Sequence, residues 1–85
     1  MRVGVNQQRA LKAVAEGCVQ HVHPFSWALP LELYDVMPYA RWFRVLQSLT
    51  QRRLIRVEAD SKEWQRPVHI TEAGLKVLRD HPAGP

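Results

Sequence analysis

Proline placement constrains this chain more than any other feature. Pro24, Pro30, Pro38 and Pro67 divide its first 70 residues into short pieces. Each proline removes a backbone N–H, and each biases the residue before it away from helical geometry. The 85-residue chain must therefore assemble one core from short helices and short strands. That core belongs to a single domain, 1–85, and folding buries roughly two-thirds of the unfolded surface. At 46% hydrophobic and 24% charged residues, the composition is that of a globular domain rather than a disordered tail. Cys18 is the one cysteine, so no internal disulfide supports the fold. No apolar run approaches the roughly 20 residues that span a bilayer, and the start of the chain lacks a signal-peptide pattern. The expected location is cytoplasmic, with no membrane partner.

The pieces read as follows. Asn6 is placed to cap a first helix reaching about Gln20, with Leu11, Val14, Cys18 and Val22 at helical spacing. His23-Pro24 ends it. Phe25 to Ala28 reads as a brief extended segment between two prolines. Pro30 suits the start of a short helix reaching about Val36, turning Leu31 and Tyr34, or Leu33, inward. The best-defined helix runs from about Pro38 to Arg52, where Trp42, Val45, Leu46 and Leu49 form a core stripe. Leu54 to Ala59 alternates as a half-buried strand, Asp60 to Glu63 is a polar turn, and Trp64 to Ile70 is a second strand. Pro67 confines that second strand to an edge or an unpaired position. Thr71 caps a last helix, with Leu75 and Leu78 packing inward and Val77 at the margin. The fold class is α+β: helix, short strand, helix, helix, β-hairpin, helix.

Charge is unevenly distributed along these pieces. Between Val36 and Val57 lie Arg41, Arg44, Arg52, Arg53 and Arg56, with no acid among them. The chain holds 12 basic and 8 acidic residues, so outside that block the two signs nearly cancel. A local basic block of this kind fits a polyanionic partner, and it also fits a solubilising surface.

From Leu31 to Leu78 the chain resembles a winged helix-turn-helix domain, similar to those of MarR-like bacterial transcription regulators. Glu32-Leu33-Tyr34, Pro38 and the run from Arg41 to Leu49 resemble the second helix, the turn and the recognition helix. Arg53-Leu54-Ile55 resembles the entry to the wing. Val68-His69-Ile70-Thr71-Glu72-Ala73-Gly74 resembles the wing's end and the helix after it. The chain departs from the family in having Arg53 where glycine is usual. Its hairpin tip is near-neutral, with Lys62 and Arg66 beside Glu58, Asp60 and Glu63. No further helix matches those that MarR-like regulators use to dimerise.

The resemblance implies double-stranded DNA binding and transcription regulation, with the helix from Pro38 to Arg52 in the major groove. Tyr39, Ala40, Arg41, Phe43, Arg44 and Gln47 would then face the bases. Arg44 suits guanine, Gln47 adenine, and Phe43 a thymine methyl. Ser48, Arg52, Arg53 and Arg56 are placed for phosphates, with Lys62 and Arg66 on the wing. A homodimer through the first and last helices is expected, because a lone module is a weak specific binder. The other reading is a protein-interaction module that modulates another regulator through Tyr39, Phe43 and Arg44.

Other chemistry has little support. Cys18 and His21 share a face if the first helix continues, with His23 nearby, but a closed zinc site wants four ligands. His69 or His81 would have to supply the fourth from a distance. No metal, cofactor or enzyme activity is expected, since no paired carboxylates, nucleophile elbow or glycine-rich phosphate loop occurs. Of the three tryptophans, Trp42 belongs to the core stripe. Trp27 anchors the short extended segment, and Trp64 reads as a lid over the core edge.

Overall fold

A computed structural model describes residues 4–58 and 62–80. It is an α+β domain in which four helices pack with one four-stranded antiparallel sheet. The elements in chain order are α1 (Val5–Ala15), β1 (Gln20–Val22), β2 (Ser26–Ala28), α2 (Leu31–Tyr34), α3 (Tyr39–Gln51), β3 (Ile55–Val57), β4 (Gln65–Ile70) and α4 (Glu72–Asp80). Strand order across the sheet is β2-β1-β4-β3.

The first helix is shorter than its apolar spacing suggests. It starts at Gly4, whose N–H donates to the Gln7 side chain at 3.1 Å. Asn6 does not cap it; the Asn6 amide instead lies 3.1 Å from the Met37 sulfur. The helix closes at Gly17, whose φ of 77° lies in the left-handed region. Gly17 N–H donates to the Val14 carbonyl and Cys18 N–H to the Ala13 carbonyl, a Schellman closure. Cys18 is therefore an exposed residue beyond the helix, and it shares no helix face with His21. Val22 belongs to β1, a strand that helical spacing concealed.

The extended Ser26–Ala28 segment pairs with β1, giving a hairpin with the cis peptide His23-Pro24 near its tip. β1 in turn pairs with β4, matching Gln20 to Pro67 and Val22 to Gln65. β4 is thus an interior strand, so of the two places Pro67 allows, an edge or an unpaired position, the edge is excluded. Proline is tolerated there because its carbonyl still accepts from Glu58 N–H at 3.0 Å. The missing N–H lies opposite Glu58, just past the end of β3, so one bond is lost where the ladder is already ending.

The core gathers around Trp42, Leu11, Leu46, Leu49, Ile55 and Val19, each fully buried. Each large member contributes roughly 1.5–3 kcal/mol through burial. Trp42 also ties the two middle helices together. Its indole N–H donates to the Leu33 carbonyl at 2.6 Å, fastening the single turn of α2 to α3. Leu33 points into the core, whereas Leu31 is 82% exposed and Tyr34 lies largely outside. One turn of helix cannot bury both faces, and the Trp42 bond selects the Leu33 side.

The end of α3 is fixed with unusual density. Arg53 has φ 60° and closes the helix in the left-handed conformation, with Leu54 N–H reaching back to the Leu49 carbonyl. Thr71 Oγ1 lies 2.7 Å from the Arg53 carbonyl and 3.0 Å from that of Leu54. The same oxygen accepts from Gly74 N–H at 3.1 Å, which caps α4. A Cβ at Gly74 would collide with the Leu54 carbonyl and the Ile70 side chain, so only glycine lets α4 approach so closely. On α4, Val77 and Leu78 are half-buried against the core, while Leu75 is largely exposed rather than packed inward.

Candidate functional site

The outward face of α3 is the part of the molecule that chemistry singles out. Trp42, Leu46 and Leu49 occupy the buried side, so Ala40, Arg44, Gln47 and Gln51 fall in a row on the opposite side, all exposed. Arg41 is exposed and Ser48 half-buried along one flank of that row. No acidic residue lies on α3. Neither Arg41 nor Arg44 forms an ion pair among the described residues.

The other flank is aromatic and partly structural. Tyr39 stacks on Tyr34 at 6.5 Å and meets Phe43 at 6.3 Å in a tilted contact. The Tyr39 hydroxyl accepts from Trp27 N–H at 2.9 Å. Both Tyr39 and Phe43 are half-buried and pack against the core cluster. Their rings lie beside the Arg44 row.

The remaining basic residues do not all converge on α3. Arg52 and Arg53 are exposed at its C-terminal end. Arg56 alternates with the inward Ile55 and Val57, so it lies on the sheet's outer face opposite His69. His69 stands 3.8 Å from Glu58. Arg66 shares the inner face of β4 with Val68, is half-buried and sits opposite His21 on β1. Lys62 is exposed beside Trp64 and His23.

Trp64 is not a lid over the core. It is 69% exposed, and its ring meets His23 edge-on at 5.8 Å. Phe25 at the tip of the β1–β2 hairpin is 77% exposed. Because β1 runs antiparallel to β4, the hairpin tip and Trp64 lie at the same end of the sheet.

Between that hairpin and α3 lies an open cleft of about 230 Å³. His21, Phe25 and Trp27 line it from the hairpin, and Phe43, Gln47 and Gln51 from the helix. His21 meets Trp27 edge-on at 5.0 Å. Burial, then the Arg66 charge, then His23 hold its imidazole below the ordinary value of 6.5. Its Nδ1 is buried with no hydrogen-bond partner among the described residues.

Sequence reasoning missed three members of this region. Gln51 follows Arg44 by seven residues, and extending the outward row by one step finds it. Phe25 was read as part of a strand, although Pro24 beside it signals a turn. His21 was hidden by the overlong first helix. Among the described residues, no group of three or more His, Cys, Asp or Glu side chains is placed to hold a metal ion, and no helix is long and apolar enough to cross a membrane.

No protein-family model, curated protein or solved structure matches this chain.

Proposed function

We propose that this chain is a winged helix-turn-helix domain that binds double-stranded DNA in a sequence-specific way and regulates transcription. The observation that carries this reading is the outward row of α3, which presents Arg44 and Gln47 with Arg41 alongside and no acid on the helix. An exposed helix with this chemistry suits the major groove, where arginine pairs with guanine and glutamine with adenine. Supporting it, α2 and α3 are joined by a short turn and locked by Trp42, as a helix-turn-helix requires. The β3–β4 hairpin follows α3 directly, in the position of a wing. Arg52 and Arg53, exposed at the end of α3, would take phosphates on this reading. Tyr39 and Phe43 act first as packing residues. Two copies joined through α1 and α4 would read a two-fold site.

The direct test is selection of bound duplexes from a random library. An enriched motif supports the reading, and a palindrome within it supports the dimer. Weak, salt-sensitive retention with no enrichment overturns it. The exposed Phe25 and Trp64 favour a second reading, a module that docks on another protein. A stoichiometric protein partner copurifying without DNA would select that reading.

A further inference from the structure

The cleft between the β1–β2 hairpin and α3 shares Phe43 and Gln47 with the outward helix face and adds His21, Phe25, Trp27, Thr50 and Gln51, which the major-groove reading does not use. Its walls are aromatic on both sides, Phe25 from the hairpin and Phe43 from the helix, with Trp27 and His21 between them. Its polar groups are the His21 imidazole, the Thr50 hydroxyl, which donates to the Leu46 carbonyl, and the Gln47 and Gln51 amides, each of which offers a donor and an acceptor. Among the described residues, no acidic or permanently charged side chain lines it. The exposed Arg44 guanidinium stands one turn along the same row of α3 as Gln47. A neutral planar ligand joined to an anion satisfies both halves of this arrangement. A nucleotide has that composition, since its base has a π-face and hydrogen-bonding edges and its phosphate is an anion.

We infer that the cleft receives a single unpaired nucleobase, held between Phe25 and Phe43 and hydrogen-bonded by Gln47 and Gln51, while Arg44 takes an adjoining phosphate. This rests on the nucleic-acid reading of α3 and gives Arg44 and Gln47 a second use: at an unpaired base they leave the paired base edges and serve the phosphate and the cleft. A base inside a duplex is stacked and cannot enter a side pocket, so the ligand is a bulged, frayed or single-stranded base. Phe25 is built for the contact and not for the fold. It is 77% exposed at a hairpin tip, so its ring is free to cover a base.

The test compares three oligonucleotides of the same sequence by fluorescence anisotropy at one salt concentration. One is an intact duplex, one carries a single unpaired thymidine, and one carries an abasic residue at that same bulge. The full chain should bind the thymidine bulge about tenfold more tightly than the abasic bulge. Phe25→Ala should abolish that difference and leave the intact duplex bound as before. Gln51→Ala, which removes a hydrogen-bonding wall and no aromatic contact, should reduce the difference in part. Equal affinity for the thymidine and abasic bulges overturns the base pocket while leaving duplex binding intact. Equal weakening of all three by Phe25→Ala makes Phe25 a general contact and likewise overturns it. Failure to bind any of the three overturns the nucleic-acid reading of α3 itself.

Discussion

The Tyr39 hydroxyl accepts a hydrogen bond from Trp27 N–H, joining the first turn of α3 to the edge strand of the sheet at 2.9 Å. β2 has a neighbour only on its β1 side, so Trp27 N–H points out of the ladder. An open amide on an edge strand is a docking point for another chain, and Tyr39 occupies it. Tyr39→Phe keeps the ring contacts and removes the acceptor. Stability should fall by about 1 kcal/mol, read from urea unfolding. Duplex affinity should stay unchanged if the ring, and not the hydroxyl, faces the groove.

Arg44 should separate base reading from charge. On the proposed reading, Arg44→Ala costs about 1–3 kcal/mol on a selected duplex and much less on a random one. Arg53→Ala, at the end of α3 that the same reading gives to phosphates, should weaken both duplexes alike. Parallel titrations on the two duplexes at fixed salt compare them, and equal losses for Arg44→Ala would remove it from the bases.

Gly74 marks the closest approach of α4 to the chain leaving α3. Alanine is the better helix former by about 1 kcal/mol, so an open site would gain from Gly74→Ala. Here the new methyl meets the Leu54 carbonyl and Ile70. The expected outcome is a net loss of about 1–3 kcal/mol in thermal or urea unfolding.

His21 ties stability to pH. Its folded value lies below the ordinary 6.5, chiefly because of burial, with Arg66 and His23 opposing the added charge. Near and below 6.5 the unfolded chain therefore binds more protons at this position than the folded one. The contribution is complete above 6.5 and is lost as pH falls through the folded value. His21→Gln should flatten that part of the stability profile, measured by urea midpoints across the acidic range.

Much of α3 was legible because thirteen residues of consistent helical spacing leave little freedom, and Pro38 marks its start. Thr71 was legible for a similar reason: a capping residue sits directly before an apolar stripe. The first helix was misjudged because Cys18 and Val22 continue the spacing by coincidence. Gly17 carried the contrary signal, and a glycine in the left-handed region outweighs periodicity. For β4, Pro67 allows an edge or an unpaired position, and the second holds: the strand is interior, and the missing donor falls just past the end of β3. The outward α3 row could be listed from the sequence, except for Gln51. The cleft beside it could not, since it depends on β1 pairing with β4.

That pairing has a kinetic side. Gln20 meets Pro67 across more than half the chain, while the α2–α3 and β3–β4 contacts are local. Closing so large a loop is entropically costly, and the β1–β2 hairpin alone is too small to persist in water. The hairpin should therefore become ordered late, after α3 and the β3–β4 ladder have formed, and its amides should exchange with solvent sooner than those of α3. The wall of the cleft that carries Phe25 would then be the part of the domain most readily opened.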